Sequence, residues 1–179
     1  MTSGTYKLTL PSPMLQRGFW LYAWRVIAPD GQELVYVGRT GDNSSPNASP
    51  AYIRMGQHLG SAETQNALRK HLVNRGIPPE TCQSFDLVAH GPIYPEVEKP
   101  EIFSHEDQLL RKQLMEKHIP LRDIVGAMEK QLAEDLDHAG YTLLNTVKWR
   151  HKVDPELWTP IRAAFAEHLP RLKEVNDVR

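Results

Sequence analysis

Arg54 and His58 form a pair whose residue types and spacing suit phosphate chemistry. They lie four positions apart, and side chains at that spacing project from the same side of a helix. A planar guanidinium can engage two phosphate oxygens at once and offset the negative charge that grows on them in a transition state. The alternative is a solvated pair on a surface helix, so the functional interpretation needs further residues.

Two tyrosines upstream are the next candidates. Tyr22 lies in the aromatic and β-branched stretch 19–27, and Tyr36 lies in the similar stretch 34–38. Because side chains alternate across a strand, both rings can share one face of a hairpin and meet there. Tyrosine is also common in strands for packing alone, which is the alternative for both residues.

Glu129 is the carboxylate that the helical pattern singles out. At about 100° per residue, it falls at the core-side edge of an apolar stripe, whereas Glu134 points to nearly the opposite face. The stripe consists of Val125, Met128, Leu132 and Leu136. A carboxylate held against a core is costly unless a cation or hydrogen bonds satisfy it, so Glu129 is predicted to bind a cation. The alternative is a buried structural salt bridge.

Polar and basic residues follow this helix. The amide of Asn145 can both donate and accept, so it suits tying a loop to the sheet or contacting a phosphate. Lys148 begins a basic run with Arg150, His151 and Lys152. That run could follow a nucleic-acid backbone or form a solvated linker.

The order of these residues resembles the GIY-YIG nuclease superfamily. Trp20-Leu21-Tyr22 stands where the family writes Gly-Ile-Tyr, and Tyr36-Val37-Gly38 stands where it writes Tyr-Ile-Gly. The remaining matches follow in the family's order: Arg54, His58, Glu129 and Asn145. The resemblance covers residues 20–146 and implies a metal-dependent endonuclease that hydrolyses DNA phosphodiester bonds.

The resemblance also implies a role for each side chain. Arg54 would contact the scissile phosphate, with Arg39 as a supporting cation. Tyr22 or Tyr36, aided by His58, would position or deprotonate the attacking water.

Metal and substrate contacts come from the later residues. Glu129 would hold one divalent cation, Mg²⁺ or a similar ion, which would steady the leaving 3′ oxygen. Asn145 and Lys148 would bind the substrate. The rival acidic cluster His105-Glu106-Asp107 lies too far from Asn145 for the family spacing and suits a helix N-terminus instead.

The chain departs from the family pattern in three places. The first motif keeps only its tyrosine. A polar loop at 40–50 lengthens the gap before Arg54, and an extra segment at 91–121 precedes the helix that carries Glu129. Residues 150–179 form a C-terminal helical extension without a counterpart in the family core.

The sequence predicts a single α+β domain over residues 1–179, with the family-like core at 19–147. Its sheet is expected to be small, three-stranded and antiparallel, with strands at 19–27, 34–38 and 84–90 and a further edge strand at 5–10. Helices are predicted at 50–60, 61–76, 104–118 and 122–139. Pro120 is expected to separate the last two, and Pro160 and Pro170 to break the C-terminal helix.

Composition bounds the setting and the partners. Hydrophobic residues make up 40% of the chain and charged residues 24%, and no apolar run approaches the roughly 20 residues that span a bilayer. Cys82 is the only cysteine, which excludes an internal disulfide and favours a reducing cytoplasm. The net charge of −1 divides into +4 for residues 1–75 and −5 for the remainder, so the motif-bearing part is the basic one.

Three function classes follow. The first is the DNA endonuclease, which would cut both strands most simply as a homodimer or with a partner that gives specificity. The second is a catalytically silent nucleic-acid-binding module of the same fold. A small-molecule or metal-free enzyme ranks lowest, since the chain has no Gly-rich phosphate loop, nucleophile elbow or His/Cys metal spacing.

Overall fold

The computed structural model describes residues 3–61, 66–100 and 107–174, which contain a four-stranded mixed sheet and four α-helices. The strands are β1 (Gly18–Ile27), β2 (Glu33–Arg39), β3 (Ser84–Pro95) and β4 (Thr142–Leu143). The helices are α1 (Ile53–Leu59), α2 (Ala67–Asn74), α3 (Gln108–His138) and α4 (Pro155–His168).

The sheet has the strand order β3-β1-β2-β4. β1 is antiparallel to both β2 and β3, whereas β4 pairs in parallel with β2 at Leu34↔Thr142 and Val35↔Leu143. The predicted mixed α/β class is confirmed, but the three-stranded antiparallel sheet is wrong. A strand of two residues is too short to show alternation, so nothing in the sequence pattern indicates it.

Both faces of the sheet are covered. Leu21 and Ala23 of β1 pack with Met128 of α3 and Phe165 of α4 on one side. Tyr22, Trp24 and Val26 of β1 pack with Leu68 and Leu72 of α2 on the other. β1 is therefore buried almost throughout, as expected for a central strand with helices on both faces.

Several predicted boundaries were wrong at the ends of elements. The segment 5–10 forms no strand, and β3 continues to Pro95 through residues predicted as an irregular connection. α1 begins at Ile53, after a turn that follows Pro50. The predicted start of the second helix abuts residues 62–65, which lie outside the described residues, and α2 begins at Ala67.

α3 is one continuous helix of 31 residues where two were predicted. A proline inside a helix costs about 3 kcal/mol because it removes a donor and crowds the preceding turn. Burial on both sides of Pro120 offsets that cost, through Leu114 and His118 before it and the Val125–Leu136 stripe after it. The predicted apolar stripe is confirmed, since its four members are fully buried.

The C-terminal part follows the same logic. α4 runs through Pro160 without a break, because Trp158, Ile161 and Phe165 are buried around it. A short 3-10 turn at Pro170–Lys173 follows, as the predicted second break requires. Within the described residues, no helix is both long enough and apolar enough to cross a membrane.

Candidate active site

A cleft of about 510 Å³ opens where β1, β2, α1, α3 and the segment after β4 meet. All eight residues predicted to do chemistry or bind substrate line this cleft. They are Tyr22, Tyr36, Arg39, Arg54, His58, Glu129, Asn145 and Lys148. Residues that are far apart in the chain therefore lie close together in the fold.

His58 lies between the two tyrosines. The Tyr22 hydroxyl is 2.7 Å from His58 Nε2, and the Tyr36 ring centroid is 4.9 Å from the His58 ring centroid. The antiparallel register places Tyr22 opposite Gly38 and Tyr36 opposite Trp24, so both rings share the face of the sheet that α1 covers. The two tyrosines share one face of the hairpin, as predicted, and both contact His58.

The pKa values of Tyr22 and His58 set the charge of each partner in their hydrogen bond. Burial raises the pKa of Tyr22 well above its ordinary value, and burial raises the pKa of Tyr36 to about 12. Burial, reinforced by the charge of Arg54, lowers the pKa of His58 to about 4. At neutral pH both groups are therefore uncharged, and with His58 as its Nδ1–H tautomer the Tyr22 hydroxyl donates to Nε2.

This depressed pKa predicts an acid-dependent loss of stability. The unfolded chain takes up a proton at His58 below pH 6.5, whereas the folded chain does so only near pH 4. The free energy of unfolding should fall across that window by up to about 3 kcal/mol, and His58→Gln should lose less. Thermal unfolding at pH 7.5 and 4.5 measures the difference. An NMR titration with His58 ionising near pH 6.5 would contradict the assignment.

Gly38 shows why the Tyr-x-Gly motif needs its glycine. A Cβ at this position would lie 2.6 Å from the ring and hydroxyl of Tyr22. Gly38→Ala should cost about 1–3 kcal/mol and push Tyr22 away from His58. At Gly56 of α1 an added Cβ meets nothing within 4 Å, so Gly56→Ala is the matched control and should be neutral or stabilising. Chemical denaturation compares the two, and equal stability of both variants would count against this packing.

Arg54 enters the cleft from α1, one turn before His58. Its Nη1 donates to Gln57 Oε1 at 2.9 Å, and its Nη2 lies 3.3 Å from Asp42 Oδ1. Its Nε is buried and has no hydrogen-bond partner within the described residues. Buried donors of this kind are usually paired, by protein or by ordered water.

Arg39 and Glu129 form an ion pair on the opposite wall. Arg39 Nε is 3.2 Å from Glu129 Oε2, and their side chains are only 8% and 17% exposed. Burial raises the pKa of Glu129 to about 7 in spite of the attraction from Arg39 and Arg54. Glu129 therefore forms the salt bridge that was its alternative role. The attraction of Arg39 does not fully offset the cost of burying the carboxylate charge.

Within the described part of the chain, Asp42 and Glu129 are the two carboxylates that line the cleft. No group of three or more His, Cys, Asp or Glu that could hold a metal occurs among the described residues. Mg²⁺ does not need such a group, because it keeps several waters and uses one or two carboxylates with substrate phosphates. A zinc-type site would need more protein ligands.

Neither models of known protein families, nor curated proteins, nor solved structures gave a match to this chain. The likeness to GIY-YIG nucleases therefore stays a prediction that rests on the residues named above.

Asn145 is used to hold the sheet together. Its Oδ1 accepts from Val37 N at 3.0 Å, and its Nδ2 donates to Val37 O at 2.8 Å. The amide thus continues the parallel pairing of β4 with β2 beyond Leu143. Of the two roles open for Asn145 in the sequence, tying the loop to the sheet is the one observed. Lys148 lies exposed at the rim of the cleft.

The rival acidic cluster is only partly described. Asp107 is the N-cap of α3, and its Oδ1 accepts from Leu110 N at 3.0 Å. Ser104, with which the predicted capping box began, lies outside the described residues, as do His105 and Glu106.

Sequence reasoning missed Asp42 and Trp149, which also line the cleft. The Trp149 ring lies 4.8 Å below the Arg39 guanidinium, and its Nε1 donates to Asp123 O at 3.0 Å. Gly126 on α3 is the signal that could have revealed Trp149, since a Cβ there would lie 2.3 Å from the indole. Asp42 sits in an aperiodic polar loop, and the sequence carries no sign of what that loop contacts.

Proposed function

We propose that this chain is a divalent-metal-dependent endonuclease that hydrolyses DNA phosphodiester bonds. One observation carries the proposal: the 2.7 Å hydrogen bond from Tyr22 to His58 lies in the same cleft as two guanidiniums and an incompletely compensated carboxylate. That set provides a proton path, a phosphate site and a cation site within one cavity.

The proton path runs through Tyr22. With His58 as its Nδ1–H tautomer, the Tyr22 hydroxyl donates to Nε2, and a lone pair of its oxygen is available to a water in the cleft. The phenol can take a proton from that water as it passes its own to the imidazole. A bound phosphate would neutralise part of the Arg54 charge that depresses the His58 pKa, which makes the imidazole a better acceptor when substrate is present.

The phosphate site is built by two cations from different elements. The Arg54 side chain lines the cleft and is 24% exposed, so its guanidinium would bind an oxygen of the scissile phosphate. Arg39 is fixed on the facing wall by Glu129 and Trp149, where it would support the charge that grows on the reacting phosphorus group. Lys148 at the rim would contact the flanking DNA backbone.

Glu129 is the residue that would hold Mg²⁺. The chemistry supplied there is stabilisation of the charge on the leaving 3′ oxygen. A cation beside Glu129 would also offset the part of the carboxylate's burial cost that the ion pair with Arg39 does not offset.

The proposed setting of the reaction is the cytoplasm, with DNA as the substrate. A reducing cytoplasm fits the lone, free Cys82. DNA as the substrate comes from the family likeness, and a homodimer or a specificity-giving partner would allow one such site to cut both strands.

End mapping of a labelled DNA duplex tests the proposed function. With Mg²⁺, the products should carry 3′-hydroxyl and 5′-phosphate ends, and a chelator should stop the reaction. Absence of cutting with Mg²⁺, Mn²⁺ or Ca²⁺ would overturn it.

The Arg39–Glu129 ion pair favours a second candidate, a phosphate-binding module that does not cut. In such a module the Arg39 guanidinium would replace the metal as the partner of Glu129, with Arg39 Nε 3.2 Å from Glu129 Oε2. The two candidates separate in calorimetry, because the module would bind DNA without any divalent ion. The nuclease would bind Mg²⁺ through Glu129.

A further inference from the structure

The polar loop after β2 and the helix α3 contact each other, and both involve segments that lengthen the chain relative to the family pattern. The loop at 40–47 receives three hydrogen bonds from α3, whose first part falls in the extra segment 91–121. Arg111 Nη2 donates to Ser44 O at 2.5 Å, and Arg122 Nη1 reaches Asn43 O at 3.4 Å. His118 Nε2 lies 2.9 Å from Asp42 O. α3 therefore braces this loop, which we call the 40–47 loop.

The 40–47 loop holds both arginines of the cleft. Arg39 Nη1 donates to Gly41 O at 2.6 Å, and its Nη2 donates to Asn43 Oδ1 at 3.0 Å. Asp42 Oδ1 accepts from Arg54 Nη2 at 3.3 Å. One loop thus sets the positions of guanidiniums that come from β2 and α1.

Asp42 is fixed from several sides. Its Oδ2 accepts from Ser45 Oγ at 2.7 Å, and its backbone N donates to Asn47 O at 2.8 Å. The preceding Gly41 has φ of 96°, and a Cβ there would lie 2.7 Å from the Phe19 ring. The backbone at this point is therefore closely packed, and Ser45 and Arg54 each contact one oxygen of a carboxylate whose side chain is 36% exposed.

His118 of α3 supports the 40–47 loop at the Asp42 carbonyl. It is fully buried, with its ring centroid 4.9 Å from that of Phe19. Its Nδ1 is buried and has no hydrogen-bond partner in the described part of the chain, whereas Nε2 faces the Asp42 carbonyl. A carbonyl only accepts, so Nε2 carries the hydrogen and donates. Burial lowers the pKa of His118, which fits a neutral imidazole.

We propose that Asp42 is a positioning residue whose carboxylate orients Arg54 toward the phosphate. Ser45 holds that carboxylate, and His118 holds the backbone carbonyl of Asp42. The inference rests on the proposed function for what Arg54 does, but the orientation of Arg54 can be measured without it. Arg54 would then be pre-set for its substrate, so the cost of ordering a long side chain is met before binding.

NMR of the Arg54 Nε–H measures the orientation directly. In the wild type this group should be ordered, and in Asp42→Ala its order parameter should fall, with a smaller fall in Asp42→Asn. Asp137→Asn, an exposed acid on α3, is the matched control and should leave it unchanged. An Arg54 side chain that stays equally ordered in Asp42→Ala would overturn the proposal, whether or not the protein cuts DNA.

Cleavage kinetics test the consequence. Asp42→Ala should lower kcat by about 10²-fold with little change in KM, because misplacement affects the transition state more than the ground state. In an Arg54→Ala background the same change should have no further effect, since Asp42 acts through Arg54. Tighter DNA binding by Asp42→Ala at an unchanged kcat would overturn the proposal, because Asp42 would then compete with phosphate for Arg54.

Variants of His118 separate positioning from general stability. His118→Gln retains an N–H donor for the Asp42 carbonyl, whereas His118→Ala does not. Arg54 order and kcat should be closer to the wild type in the glutamine variant. Equal loss in both variants at equal thermal midpoints would remove His118 from the proposal. If the wild-type protein cut no DNA, the proposed function would be wrong. The NMR order parameter of the Arg54 Nε–H would still test the positioning role of Asp42.

Discussion

Arg54→Ala should slow DNA cutting by roughly 10²–10³-fold, the usual effect of removing one preorganised donor to a developing oxyanion. The physical reason is the position of Arg54, whose partly exposed guanidinium lines the cleft beside Tyr22 and His58. Arg54→Lys should recover little, because an ammonium retains the charge but loses the planar fork that engages two oxygens. Single-turnover cutting of a labelled duplex measures the chemical step.

The matched control is Lys173→Ala, which removes an exposed cation outside the cleft lining. It should cut at the wild-type rate. If Arg54→Ala also cut at that rate with an unchanged thermal midpoint, Arg54 would have no part in the reaction.

Glu129→Gln should abolish Mg²⁺ binding and slow cutting by about 10³-fold or more, since metal stabilisation of a leaving oxygen contributes several kcal/mol. Glutamine keeps the size of the side chain, so the variant tests the charge. Because burial raises the pKa of Glu129 to about 7, a proton competes with the cation. Mg²⁺ binding by the wild type should therefore strengthen as pH rises through 7. Calorimetry measures both effects.

Glu134→Gln is the control on the same helix, at a side chain that is 45% exposed. It should bind Mg²⁺ like the wild type. Equal binding by both variants would move the metal site away from Glu129.

The site residues could be predicted because their signals are local or periodic. Strand alternation allows Tyr22 and Tyr36 to share one face, which the hairpin register then fixes, and helical periodicity distinguishes Glu129 from Glu134. The four-residue spacing similarly places Arg54 beside His58 on α1. These patterns are properties of single helices and strands, so they do not depend on how those elements pack together.

The supports of the site could not be predicted, because they depend on contacts between distant segments. β4 is a two-residue strand that is extended by the side chain of Asn145. The 40–47 loop has no period, and only the continuation of α3 through Pro120 brings His118 and Arg122 to it. A local rule for proline predicts a break there, and burial on both sides of Pro120 overrides it.

Conversion of supercoiled plasmid with Mg²⁺ tests the central claim most directly, with wild type, Arg54→Ala, Glu129→Gln and the two control variants run side by side. The account predicts nicked or linear DNA from the wild type, Lys173→Ala and Glu134→Gln, and intact plasmid from the two site variants at unchanged thermal midpoints. Wild-type cutting by either site variant, or no cutting by the wild type, would contradict it.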